Sequence, residues 1–100
     1  MKKSLKICVL LLITCLYNVN AQTVSNNTQL QAALSAASAG TTITLANGNW
    51  NNIYLSINKT ANAANPIKIV AQTPGQVFFQ GNSRVSLGGS YIIFEGVVFN

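Results

Sequence analysis

Charged residues able to do acid–base or ligand chemistry are few in this 100-residue chain, and beyond its first 21 positions they are Lys59, Lys68, Arg84 and Glu95. There is no histidine and no aspartate, Glu95 is the only carboxylate, and both cysteines, Cys8 and Cys15, lie near the start. Counting these residues alone, the inventory excludes a Ser-His-Asp or Cys-His nucleophile, a zinc site and a carboxylate pair for glycoside hydrolysis. A calcium cage built from several carboxylates is excluded as well, and no glycine-rich phosphate loop is present. No catalytic, cofactor-binding or metal-ligating residue is therefore assigned in residues 1–100.

The opening segment explains much of the charge. Lys2, Lys3 and Lys6 precede an apolar stretch over residues 7–16, and Val19-Asn20-Ala21 supplies small residues suited to a signal peptidase. Residues 1–21 thus read as a signal peptide, with cleavage before Gln22 and a secreted or periplasmic destination. A membrane span needs ~20 apolar residues, and this run is about half that. Leu12-Ile13-Thr14-Cys15 loosely resembles a lipobox, but Thr14 is unusual before a lipidated cysteine, so anchoring at Cys15 is the less favoured route. Removing the segment leaves three cations against Glu95, a net charge of +2 in place of +5. The basic balance belongs largely to the signal and gives no argument for nucleic acid. No disulfide is available beyond it, so packing and backbone ladders must hold the fold.

The elements that would position the remaining groups follow from periodicity. Over residues 24–39 a short lead-in precedes one helix: Thr28 and Gln31 have capping-box spacing, Leu30, Ala33, Leu34 and Ala37 share one face, and Gly40 is placed to end it. From Thr41 the period becomes two, with Ile43 and Leu45, then Ile53, Leu55 and Ile57, on one phase. Residues 46–49 read as a turn, and further strands are predicted over 67–71, 77–80, 85–87, 91–94 and 97–99. Gly81-Asn82, Gly88-Gly89 and Glu95-Gly96 separate the later strands as turns.

Two strand pairs echo each other. Ile43-Thr44-Leu45 returns as Ile67-Lys68-Ile69 and Ile53-Tyr54-Leu55 as Val77-Phe78-Phe79, both 24 residues on. A β-sandwich would also be made of short strands and turns, but it has no reason to keep strand pairs at one offset. The expectation is an all-β, right-handed parallel β-helix solenoid, of which residues 22–100 form the amphipathic capping helix and first coils. Lys68 and Arg84 fall on the outward phase, as unpaired charges must.

Val24-Ser25-Asn26, the Leu30-Gln31-Ala32-Ala33-Leu34 helix and Thr42-Ile43-Thr44-Leu45-Ala46-Asn47-Gly48-Asn49-Trp50 resemble the start of the chondroitinase B / poly(β-D-mannuronate) lyase family. Asn65-Pro66-Ile67, Thr73-Pro74-Gly75-Gln76-Val77, Gly81-Asn82-Ser83-Arg84 and the run from Tyr91 to Phe99 continue the resemblance in order. It implies a right-handed parallel β-helix enzyme that cleaves alginate or dermatan-type chains by β-elimination. In such enzymes calcium neutralises the uronate carboxylate, a lysine takes the C5 proton and an arginine assists the leaving group. Lys59, Lys68 and Arg84 do not match those motifs, so the catalytic and calcium residues are expected beyond position 100.

Several residues have a structural and a functional reading. Tyr54 and Phe78, 24 apart on the outward phase, would stack on adjacent coils as a ladder or, less favoured, hold a sugar ring. Trp50 would pack against the capping helix in preference to serving as a sugar platform. Asn58 and Asn82, also 24 apart, read as stacked amides. Glu95 reads as a solvated turn residue. Asn26-Asn27-Thr28 and Asn58-Lys59-Thr60 match the glycosylation sequon, a pattern that also arises by chance.

The sequence thus points to a secreted polysaccharide lyase acting on an anionic polysaccharide, with calcium as cofactor of the full-length enzyme. Here it is represented by a fragment without the active site, expected to be inactive and prone to aggregate at its open end. The alternative is a non-catalytic β-helix surface adhesin or structural protein.

Overall fold

The computed structural model describes residues 21–100. The signal assigned to residues 1–21 lies outside the described residues except for Ala21, which opens the first strand. The described chain is mostly β. Its elements run β1 (Ala21–Val24), α1 (Asn27–Ala36), β2 (Thr42–Leu45), β3 (Gly48–Asn51), β4 (Tyr54–Thr60), β5 (Ile67–Ala71), β6 (Val77–Gln80), β7 (Arg84–Ser90), β8 (Ile92–Glu95) and β9 (Val97–Phe99). They form three sheets: β1-β2-β5-β8 (sheet A), β3-β6-β9 (sheet B) and β4-β7 (sheet C). Every pairing is parallel. From β2 onward the chain visits A, B and C in rotation, and each strand lies beside the one from the previous visit.

That rotation explains the core. Parallel pairing puts inward side chains in rows across neighbouring strands, so each row is buried by its neighbours. Ile43 stacks on Ile69 and Phe94 in sheet A, Trp50 on Phe79 and Phe99 in sheet B, and Leu55 on Val85 in sheet C. Phe79, 1% exposed, is the hub. Its ring lies 6.2 Å from Trp50, 6.3 Å from Phe94 and 5.6 Å from Phe99, the last edge-on. Among the described residues no buried side-chain nitrogen or oxygen lacks a hydrogen-bond partner. The Trp50 indole N–H donates to the Ala46 carbonyl at 3.0 Å, and Thr41, buried, accepts from the Ser38 amide at 3.1 Å.

Helix α1 covers one side of this core through Leu30, Ala33 and Leu34, all buried, with Ala37 just beyond its end. The expected apolar face is the observed one; the cap is not. Asn26, not Thr28, is the N-cap, and its side chain accepts from the Gln29 amide at 2.9 Å. Gln29 Oε1 accepts from the Ser25 amide in return, so the reciprocal pattern sits two residues earlier than the Thr28–Gln31 spacing suggests. Gln31 instead donates to the Tyr54 carbonyl on β4 and to Asn27 Oδ1. The helix ends at Ala36, ahead of Gly40.

The 24-residue echo is not the register. In sheet A the spacing is 26 (Thr42 to Lys68) and then 25 (Ile67 to Ile92); in sheet B it is 29 (Gly48 to Val77) and then 20 (Val77 to Val97); in sheet C it is 30 (Tyr54 to Arg84). Val77 to Gln80 does not answer the strand at Tyr54: it pairs with β3, a segment whose Asn-Gly composition reads as a turn. Gly88 and Gly89 likewise belong to β7, opposite Asn58 and Lys59, and do not interrupt it. Two expected contacts fall with the echo. Tyr54 faces Arg84 and not Phe78; Phe78 faces Asn49; and Asn58 faces Gly88 and not Asn82. Asn82 donates its amide to Asn52 Oδ1 at 2.9 Å. Trp50 is a buried strand residue against Phe79. Glu95 is exposed but ends β8, opposite Val70.

Candidate functional surfaces

With the interior filled by apolar rows, any chemistry in the described residues belongs to the outward phase. On sheet A that phase runs Thr42, Lys68, Ile93 on one row and Thr44, Val70, Glu95 on the next. Between β5, β8 and the turn at Thr73-Pro74 lies an open groove lined by Thr42, Lys68, Val70, Pro74 and Glu95 among others. One ammonium, one carboxylate and the Thr42 hydroxyl are set among the apolar Val70, Ala71 and Pro74.

Sheet C presents a different face. Tyr54, Ser56 and Asn58 on β4 stand beside Arg84, Ser86 and Gly88 on β7. The Arg84 guanidinium carbon lies 4.2 Å from the centre of the Tyr54 ring, well within the range in which a cation is drawn to an aromatic face. Two turns set this pair in register. Asn52 (φ 55°) and Gly81 (φ 69°) each take a left-handed conformation shortly before their sheet C strand. A Cβ at Gly81 would meet the Asn52 side chain, and the Ile53 amide donates to Ser83 Oγ at 2.9 Å.

Lys59 has a structural assignment. Its Nζ donates to the carbonyls of Ser35 (2.7 Å) and Ala37 (2.8 Å) at the C-terminal end of α1. The three cations are therefore dispersed: Lys59 on the helix end, Lys68 in the sheet A groove, Arg84 over Tyr54. Among the described residues, Lys68 is the cation that shares a groove with a carboxylate, that of Glu95. No three His, Cys, Asp or Glu side chains gather among the described residues.

The Tyr54–Arg84 pair escaped the sequence reading because the 24-residue echo gave Tyr54 the wrong partner. Aligning the left-handed turn residues Asn52 and Gly81 would have given 29, one residue from the observed 30.

Fold and faces together define a mostly-β protein built on parallel sheets, with mixed polar and apolar outer faces and an interior of stacked apolar rows. The chain belongs to the chondroitinase B family, whose family model matches residues 24–100. Among solved structures it is similar to the PL6 family alginate lyase AlyGC, with 35% identity and a TM-score of 0.76 over 80% of this chain and 11% of that one. It is also similar to the PL6 family polysaccharide lyase Pedsa3628 from Pseudopedobacter saltans, with 32% identity and a TM-score of 0.74 over 78% of this chain and 18% of that one. The chain thus spans less than a fifth of the length of either. No curated protein matches it.

Proposed function

We propose that this chain is the N-terminal part of an exported polysaccharide lyase of parallel β-helix fold, acting on an anionic, uronate-containing polysaccharide such as alginate or a dermatan-type chain. The observation that carries the reading is the family match over residues 24–100, joined to the likeness to two PL6 lyases above 30% identity. The rotation of the chain through three parallel sheets supports a β-helix, with α1 as its cap. Export rests on the basic and apolar pattern of residues 1–21.

The reaction class is β-elimination. A base takes the proton at C5 of the uronate, the bond from C4 to the glycosidic oxygen breaks, and that oxygen leaves with a proton while C4 and C5 become doubly bonded. Taking a proton next to a carboxylate needs both a placed base and neutralisation of that carboxylate. Lys59, occupied at the helix end, is unsuited to be that base, and Lys68 and Arg84 stand on different sheets. We assign the base, the leaving-group assistant and any calcium ligands to sequence beyond residue 100, and expect residues 21–100 alone to be inactive.

The test uses the full-length protein with alginate and, separately, with dermatan sulfate, with calcium and then with a chelator. Ultraviolet absorbance reports the unsaturated uronate. A rise on either polymer establishes the lyase, and its loss on chelation establishes the metal requirement. A flat trace on both from folded protein overturns the enzyme reading in favour of a non-catalytic surface or structural protein.

A further inference from the structure

We infer that the outer face of sheet C docks the carboxylate of an acidic sugar, with Arg84 as the clamp and Tyr54 as the surface that holds Arg84 in place. The choice of ligand rests on the polysaccharide reading above. Three observations converge. Arg84 is the only arginine in the chain. The single side-chain carboxylate, Glu95, lies on β8 of sheet A, so no acidic side chain of this chain pairs with Arg84 on its own sheet. The guanidinium is also stacked over a directly opposed ring. Stacking restrains the long arginine side chain while leaving its N–H edge open, and the planar fork matches a carboxylate in a two-point contact that an ammonium cannot reproduce.

The rest of the face suits a sugar. Ser56 and Ser86 stand beside the pair, and the side chain of Asn58, which lies over Gly88, adds an amide to the same face. Tyr54 is 48% exposed despite the guanidinium over its ring, so part of this aromatic side chain remains open to a sugar. Acidic sugar, hydroxyl and apolar sugar face each have a counterpart across two hydrogen-bonded strands.

The experiment measures retention of the full-length protein on immobilised alginate and on a neutral glucan, together with KM and kcat on polymeric alginate, for wild type, Arg84→Gln, Arg84→Lys and Tyr54→Leu. Loss of one charge-assisted two-point contact predicts about tenfold weaker binding for Arg84→Gln. Arg84→Lys should lie between, and Tyr54→Leu should weaken binding by a smaller factor. Neutral glucan should show no Arg84 dependence, and KM should rise with kcat unchanged. Equal alginate retention and KM for wild type and Arg84→Gln overturns the site even where the wild type is a lyase. Arg84-dependent retention by a wild type that cleaves neither polymer upholds the site and removes the lyase reading. Should Arg84→Gln fail to fold, Arg84→Lys and Tyr54→Leu decide the question by the same comparison.

Discussion

Replacing Lys59 with methionine should loosen helix α1 selectively. Methionine keeps an unbranched apolar stem in place of the lysine chain and removes only the ammonium. The last carbonyls of a helix have no partners within it, and the last turn of α1 carries no basic residue of its own. Lys59 reaches across from β4 to supply one, at 2.7 Å from the Ser35 carbonyl and 2.8 Å from that of Ala37. Hydrogen bonds to a charged group contribute ~1.5–3 kcal/mol when shielded. The Ser35 contact is exposed, where water replaces it readily, and the Ala37 contact is partly buried. Counting the buried one near the low end and the exposed one at about 0.5 kcal/mol gives about 2 kcal/mol for the ammonium. The assay is native-state amide hydrogen exchange on the full-length protein. Local opening of α1 easier by about 2 kcal/mol means exchange roughly thirtyfold faster at its protected amides. Lys59→Arg should restore most of the protection, and Lys68→Met, on an exposed outer row, should leave α1 unchanged. Wild-type protection in Lys59→Met, or an equal effect from Lys68→Met, would refute the argument that this ammonium fastens the helix.

Phe79→Ala removes the ring that Trp50, Phe94 and Phe99 share, and should destabilise the protein by ~3–5 kcal/mol, measured by denaturant unfolding with Trp50 fluorescence as the probe. Gly89→Ala should cost more than Gly75→Ala in the same assay. Both glycines have φ near +85° (87° and 83°), but a Cβ at Gly89 would run into the Lys59 backbone while one at Gly75 meets open space. The backbone conformation alone costs ~1–2 kcal/mol in each, so the excess at Gly89 isolates the clash. Asn47→Ala breaks a two-way contact in which Asn47 Nδ2 donates to Thr73 Oγ1 and Asn47 Oδ1 accepts from the Thr73 amide. As both bonds are exposed, a loss of about 1 kcal/mol is expected, and a double-mutant cycle with Thr73→Ala should show the two residues to be coupled.

The sequence revealed which residues face inward far better than which residues meet. The reason is geometric. Side chains alternate along a strand with period two, so a register error of two residues leaves every residue on its correct face. The echo paired Ile43 with Ile67 at 24; the sheet pairs it with Ile69 at 26. Ile43, Ile67 and Ile69 are buried either way, and Lys68 is exposed either way. Partner identity has no such tolerance. Loops between sheets differ in length, so successive visits to one sheet are 20 to 30 residues apart, and a single offset cannot describe them. β3 was hidden for a second reason: Gly48-Asn49-Trp50-Asn51 has turn composition, and only stacking on Val77 to Gln80 makes it a strand. The candidate docking pair inherited both problems, since Tyr54 and Arg84 meet only in the true register.

This separation of facing from pairing also bears on where function can be placed in such a chain. The interior rows are interdependent: Phe79 touches aromatic residues from sheets A and B, so a change in one visit must be matched in the next. The outward rows have no such constraint, because Lys68, Arg84 and Glu95 can each be replaced without opening a cavity. Chemistry on these faces arises from which outward residues the loop lengths bring into one row. On sheet A they bring Thr42 beside Lys68, and on sheet C they bring Tyr54 beside Arg84. A loop change before β7 that shifted its register on β4 by two residues would keep the same residues inward and yet separate Arg84 from Tyr54. A loop variant that retains the fold and loses alginate retention would therefore connect turn geometry to ligand recognition directly, without altering either side chain.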